Sequence, residues 1–298
     1  MSSSDPIQLS EKVFYLPGGV NSVILIGDNK QAVLVDTGGD KEAGRRIRKA
    51  CDALEVTPVA IVNTHSHADH YGGNDYLVRN LNLPVYAPPF EASIMQSPYL
   101  EPVYLFGGAK PPKELTSKWL LAKPSPVDRL LEPGALGLAG LTLEIIESSG
   151  HAHTHYAVKV NDVLFAADAV FGESALEKYP LPFGQDIGRQ MASAEKMGEQ
   201  EVRVILPGHG EPTEEVAALV QKNIETFQRA ADVIEEVCTG VDTATVLKET
   251  CKELHIEMTD LPRYYLNLCT VKAYLSYLRD EGRVGLELRD NTPLWSKT

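Results

Sequence analysis

"THSHADH" (residues 64–70) follows the apolar run "VAIV" (59–62) after a single Asn, and it holds three of the chain's eight histidines together with an aspartate. At the end of a strand, residues i and i+2 point to the same side, so His65 and His67 can converge on one point. Asp69 and His70 come where the chain must turn into the following helix, and they can aim at a neighbouring point. Imidazole and carboxylate are the ligands that Zn²⁺, Fe²⁺ and Mn²⁺ accept. One short cluster cannot close the shells of two ions, so more ligands must come from elsewhere.

Further candidates stand at strand ends. His151 lies in "SSGHAHTH" after "LTLEIIES", Asp168 closes "VLFAAD", and His209 sits in "LPGHG" after "VRVIL". Seven of the eight histidines thus fall in three strand-end segments, and His255 alone lies outside them. Reading each as an isolated surface or core histidine would need three independent coincidences.

Outward from this cluster the chain alternates strand and helix, which implies an α/β layer architecture. "KVFYLPG" and "NSVILIGDNKQAVLVDTGG" read as strands with a hairpin turn at "GDNK". Residues 40–54 carry Ala43, Ile47, Cys51 and Leu54 at helical spacing. Residues 84–133 hold ten of the nineteen prolines. Within them the stretch near 96–126, with Tyr99, Tyr104, Phe106 and Trp119, is expected to form a lid or pocket wall. A long amphipathic helix is expected over 213–237. "TATVLKETCKEL", "PRYYLNLCTVKAYLSYLRDEG" and a hairpin turning at Asp290–Asn291 then give helix, helix, hairpin, the outline of a winged helix. The expected division is a catalytic domain over 1–238 and a winged-helix-like domain over 239–298.

Bulk properties narrow the function classes. The net charge of −13 argues against nucleic acid as partner, and residues 240–298, with eight Lys/Arg against nine Asp/Glu, offer no basic reading face. A pair of dications would return positive charge inside the molecule. No apolar run is long enough to span a bilayer. The N-terminus lacks signal-peptide features, and the four cysteines show no paired spacing, so a cytoplasmic, reduced setting is expected, with a small molecule as partner and a homodimer as an option.

Together these residues resemble the metallo-β-lactamase-fold metallo-hydrolase superfamily over roughly residues 10–215. Its ordered motifs stand here as Asp36 in "LVDTGG", H-x-H-x-D-H at 65–70, His151 after a glycine, Asp168 and His209. The resemblance implies an αββα sandwich with metals at one edge. It implies that His65, His67 and His151 hold one metal and that Asp69, His70 and His209 hold the other, with Asp168 bridging. Asp36 and His155 match positions that orient ligands, whereas His153 replaces a proline and has no assigned role.

Two divalent ions, zinc first and iron or manganese as alternatives, would acidify a bridging water to hydroxide at neutral pH. Asp69 could also orient that nucleophile. Hydrolysis of a small ester, thioester or lactone is the expected reaction. The alternatives are a phosphodiesterase or nuclease, and a mononuclear-iron enzyme resembling persulfide dioxygenases, whose arginine-rich segment is absent here. Asp168 disfavours β-lactam hydrolysis, since many true β-lactamases lack that carboxylate. Phe171 stands where the related lactonases tend to have tyrosine. Candidate substrate contacts are Phe171, Tyr104, Phe106, Tyr264 and Tyr265.

Overall fold

The structure is a computed structural model that describes residues 5–118 and 120–298. Trp119, one of the aromatics of the proline-rich stretch, lies outside the described residues. Among these residues the chain forms β1 (Ile7–Gln8), β2 (Val13–Leu16), β3 (Ser22–Ile26), β4 (Gln31–Val35), α1 (Lys41–Ala53), β5 (Thr57–Val62), α2 (Ala68–Tyr71), α3 (Asn74–Leu81), β6 (Val85–Ala87), α4 (Pro89–Gln96), α5 (Leu100–Leu105) and β7 (Arg129–Leu130). There follow β8 (Gly134–Leu138), β9 (Leu141–Glu147), β10 (Tyr156–Val160), β11 (Val163–Ala167), α6 (Glu173–Lys178), α7 (Ile187–Gly198), β12 (Val204–Pro207) and α8 (Val216–Val237). The chain closes with β13 (Thr239–Val241), α9 (Thr243–Glu253), α10 (Leu261–Asp280), β14 (Val284–Arg289) and β15 (Thr292–Lys297).

Strands β1 to β7 lie in sequence order in one sheet, antiparallel as far as β4 and parallel from β4 onward. The second sheet runs β12-β11-β10-β9-β8, with only β11 and β12 parallel. Side-chain alternation explains how they stack. In β9 Leu141, Leu143 and Ile145 turn inward while Thr142 and Glu144 face solvent. They meet Val23, Leu25, Val33 and Val35 of the first sheet in one apolar layer, where each fully buried aliphatic side chain contributes roughly 1.5–3 kcal/mol. On the outer face of the first sheet Leu34 and Ile61 pack against Ile47 and Cys51 of α1 and Leu77 of α3. On the outer face of the second, Leu164 and Ile205 pack against Ala194 and Met197 of α7 and Leu219 of α8. The result is helix, sheet, sheet, helix.

Local signals place the helix starts. Asp40 caps α1 by accepting from Glu42 N (2.9 Å) and Ala43 N (3.1 Å). Asp260 caps α10 in the same way, with Pro262 in its first turn. Residues 173–198, where the sequence reading assigns no element, form α6 and α7. Helix α8 serves two layers, since Leu219 and Val220 cover the second sheet while Phe227, Ala231 and Ile234 pack against α9 and α10. Beyond it the helix, helix, hairpin order is present, and β13 completes a three-stranded sheet, β13-β15-β14. The hairpin turns at Asp290 and Asn291, both with positive φ, as a two-residue turn of the favoured twist requires. No helix among the described residues is long and apolar enough to cross a membrane.

The proline-rich stretch holds two short helices, α4 and α5, and a 3₁₀ turn over Lys113–Thr116. These pieces are too short to display a period. Leu105, Leu115 and Leu120 pack with Phe106 against Tyr265, Leu266 and Cys269 of α10, so the insertion rests on the C-terminal region.

Candidate metal centre

The motif residues come from strand ends at one edge of the sandwich. Asp36 follows β4, His65 and His67 follow β5, and Asp69 and His70 lie on α2. His151 follows β9, Asp168 follows β11, and His209 follows β12. Two non-glycine residues here hold positive φ, Asp36 (54°) and Ala167 (45°), a strained backbone of the kind that clusters at functional sites. The loop bearing Asp69 and His70 is pressed closely on the turn after β4. A Cβ on Gly72 would lie 2.1 Å from the Gly39 carbonyl oxygen, so only glycine lets the two loops meet.

The side chains converge as two linked groups. His67 Nδ1 lies 3.1 Å from His65 Nε2 and 2.9 Å from His151 Nε2. The Asp168 carboxylate reaches three histidines: Oδ2 is 3.2 Å from His151 Nε2 and 3.4 Å from His209 Nε2, and Oδ1 is 3.4 Å from His70 Nε2. His209 Nε2 lies 3.5 Å from Asp69 Oδ2. Within each of the sets His65/His67/His151, His65/His70/Asp168 and Asp69/His70/His209, one ligand atom per residue lies within 4.8 Å of the others.

The far side of each ring decides what the near side offers. His70 Nδ1 donates to Asp36 Oδ2 (2.7 Å), His151 Nδ1 to the Phe183 carbonyl (3.3 Å), and His209 Nδ1 to the Gly19 carbonyl (2.7 Å). An acceptor that has no proton to give fixes the tautomer of a neutral ring, so each of the three rings, when neutral, turns an Nε2 lone pair inward. With the rings neutral those lone pairs face the Asp168 carboxylate and nothing in that set donates, so the site takes up positive charge, as a proton or a cation. His70 Nε2 and Asp168 Oδ1 are buried without a hydrogen-bond partner among the described residues. A cluster of inward acceptors with two orphaned atoms fits a cation.

The electrostatics agree. Burial, reinforced by neighbouring histidines, holds His65 well below the usual imidazole range, and burial also takes His67 down to about 4. Burial likewise holds His151 well below that range. Burial acts on His70 too, but Asp168 and Asp36 outweigh it and hold the ring well above its ordinary value. His209 is raised by Asp168 and Asp69 against the same burial. Burial would raise Asp168, yet His209, His70 and His151 keep it well below the carboxylate range. The negative edge of the site thus draws positive charge onto itself.

Buried polar groups fix these positions. Asp36 Oδ1 accepts from Thr64 N (2.9 Å) and Asp36 Oδ2 from Thr64 Oγ1 (2.8 Å), which ties the β4 turn to the histidine loop. His155 is fully buried, with Nδ1 on Ser148 Oγ (2.9 Å) and Nε2 accepting from the Asp168 main-chain N–H (3.3 Å). Gln190 Nε2 donates to the Asp168 carbonyl (3.0 Å), and Asn21 Nδ2 holds the loop around His209 through the Pro207 and Gly210 carbonyls (2.9 and 2.7 Å). A Cβ on Gly208 would fall 2.0 Å from Asp168 Oδ1, so the glycine keeps that space for the carboxylate.

The aromatic candidates fall in different places. Phe171 is 9% exposed, with its ring 5.6 Å from His151 and 6.3 Å from Phe227. Tyr104 is 49% exposed and stacks on Phe90 at 6.5 Å. Phe106 and Tyr265 engage each other at 5.2 Å, and Tyr264 packs against the C-terminal core. His153 is exposed, its ring 4.2 Å from Phe90.

Sequence reasoning misses Phe183, whose ring lies 5.5 Å from His67 and 5.3 Å from His151, and it misses Gln190 and Asn21. None of these carries a spacing signal. It also misses Glu91, a fully buried carboxylate that accepts from Ser66 and Thr154. Burial raises its pKa, against the hydrogen bonds from those two residues. A lone acid within the apolar run "FEASIM" was the one available sign of it.

Comparison with known proteins agrees with this geometry. A probable metallo-hydrolase of Bacillus subtilis (strain 168), YqgX, is 28% identical over 202 residues, which cover 66% of this chain and 88% of that protein. A hydroxyacylglutathione hydrolase of Xylella fastidiosa (strain M12) is 30% identical over 164 residues, 52% of this chain and 48% of the relative. A metallo-beta-lactamase family protein of Thermus thermophilus superposes with a TM-score of 0.76 at 21% identity, covering 98% of this chain and all of that one. A beta-lactamase domain protein of Burkholderia ambifaria gives 0.73 at 18% identity, covering 100% and 94%, so both share the fold through the C-terminal region. The family model for the metallo-beta-lactamase superfamily matches residues 16–209, from the end of β2 to the last histidine of the centre, and the chain belongs to that superfamily of metallo-hydrolases.

Proposed function

We propose that this metallo-hydrolase holds two divalent cations and cleaves a small ester, thioester or lactone. The reading is carried by the reach of Asp168, whose two oxygens approach His151, His209 and His70 and so join the two histidine groups into one centre. His65, His67 and His151 would hold one cation and Asp69, His70 and His209 the other, with Asp168 between them. The cations, zinc first and iron or manganese as alternatives, would supply an acidified water as nucleophile and positive charge for the oxygen on which charge develops.

The chain's own residues do the rest. Asp69, its side chain 49% exposed, stands at the mouth, where its carboxylate can accept a hydrogen bond from the attacking water and orient it. The hydrogen bonds to Asp36, Phe183 O and Gly19 O hold three rings in their tautomers through the reaction. Phe171 and Phe183 wall the His151 side with apolar surface and limit stray water there. The thioester arm is supported by the hydroxyacylglutathione hydrolase relative, over the shared half of the chain. The four free cysteines, three of them buried, suit a reducing cytoplasm.

The test is a panel of small thioesters, esters, lactones and phosphodiesters, assayed before and after chelation and after reloading with zinc, manganese or iron. Metal-dependent cleavage of a carboxylic ester, thioester or lactone is expected. Cleavage of phosphodiesters alone, or oxygen uptake with a persulfide on a single iron, would overturn the substrate class.

A further inference from the structure

Behind the cation ligands stands a carboxylate that the proposed hydrolysis does not use. Glu91, in the first turn of α4, is 1% exposed. It pairs with no lysine or arginine among the described residues. Its charge is met by neutral donors: Oε2 accepts from the Ser66 main-chain N–H (3.2 Å) and from Ser66 Oγ, and Oε1 accepts from the Thr154 main-chain N–H (3.0 Å). A buried carboxylate needs such donors, since without them its desolvation is uncompensated.

The donors are placed in a telling way. Ser66 lies between His65 and His67 on the loop that leaves β5 in the first sheet. Thr154 lies between His151 and His155 on the loop that joins β9 to β10 in the second. The two oxygens of one side chain therefore hold the two ligand loops at a fixed distance, from an element that belongs to neither. A second contact keeps α4 against the same loop, because the neighbouring Phe90 ring lies 4.2 Å from His153. His67 Nδ1 and His151 Nε2, 2.9 Å apart, are the atoms whose spacing this tie would set.

We infer that Glu91 is a positioning residue that fixes the His67–His151 spacing and thereby the affinity of the cation position formed by His65, His67 and His151. The inference rests on the proposed cation site. Glu91→Gln keeps the shape but turns one acceptor into a donor facing an N–H, whereas Ser66→Ala removes a single hydroxyl donor and leaves the main-chain one.

The experiment titrates the metal-free full-length chain with cobalt(II) against a competing chelator, following the visible absorption of the bound ion. Thermal unfolding of the metal-free protein is measured in parallel. Glu91→Gln is expected to weaken cobalt binding by about 10–100-fold and to change the absorption band, beyond any shift in metal-free unfolding. Ser66→Ala should lose less. If Glu91→Ala does not fold, these two variants carry the test. Wild-type affinity and spectrum in Glu91→Gln, or a loss matched entirely by a less stable metal-free chain, would overturn the positioning role while leaving the cation site standing. A wild-type chain that takes up no cobalt would instead overturn the site itself.

Discussion

The first sheet delivers His65, His67, Asp69 and His70 from one seven-residue stretch, whereas the second delivers His151, Asp168 and His209 from three separate strand ends. On the first side the spacing of the candidate ligands is set by the local backbone, by the turn into α2 and by Asp36 beneath His70. On the second side no local rule relates the three residues, and their positions follow from sheet register. Each has its own support there: His155 and Gln190 for Asp168, Asn21 and the Gly19 carbonyl for the His209 loop, and the Phe183 carbonyl for His151. The local cluster is spaced by its own backbone and anchored from outside by Asp36 and Glu91. A dispersed one needs a buried polar partner for nearly every member.

The sharpest way to break the comparison is to remove one ligand from each side. Asp168→Ala should empty both cation positions and abolish turnover, because that carboxylate approaches histidines of both groups. His67→Ala should abolish turnover while leaving about one cation per chain, since of the three candidate ligand sets His67 belongs to the His65/His67/His151 set alone. Elemental analysis beside near-ultraviolet circular dichroism checks both. Equal cation loss in the two variants would remove the distinction.

A smaller effect is expected from Gly208→Ala, which pushes a methyl group into the Asp168 carboxylate. Cation affinity should fall about 10–100-fold, while Gly137→Ala, where an added Cβ meets nothing within 4 Å, should leave it unchanged. Isothermal titration with zinc reads the difference.

Glu101, on α5 beside the first-sheet loops, gives a pH-dependent effect. Burial, then Glu91 and Asp69, raise its pKa to about 7. A carboxyl whose folded pKa is raised favours the neutral form, so its stabilisation is full below the unfolded value of 4.5 and is lost as pH rises through about 7. Glu101→Gln should abolish that decline, on the order of 3 kcal/mol between those limits. Chemical denaturation of both proteins from pH 4.5 to 8 measures it, and parallel curves would contradict the assignment.

The smallest effect concerns the rest of the molecule. Phe106 and Tyr265 join the insertion to α10, and a double-mutant cycle to alanine should give a coupling of about 0.5–1.5 kcal/mol with cation content unchanged. A change in cation content would tie that contact to the site.

The same contrast explains what could be read in the sequence. Four candidate ligands were legible because they are adjacent, and the α/β alternation because helix and strand periods differ. His151, Asp168 and His209 were legible through their place at strand ends and through the order in which they match the motifs of the resembled superfamily. Glu91, Gln190 and Asn21 were not, because a residue that acts through a hydrogen bond across the fold leaves no period or spacing behind. Helices α4 and α5 escaped for a different reason, being too short for the apolar repeat to emerge. The positive φ at Ala167 could not be foreseen, since alanine has no leaning toward it, and at Asp36 aspartate's enrichment there marks no single position.

The most direct test of the account is the number of divalent ions bound per chain in gently purified wild-type protein, measured by elemental analysis against a quantitative protein assay. Two per chain is the result predicted from the proposed sharing of Asp168 between two histidine groups. One ion or none after incubation with zinc, manganese or iron would contradict it.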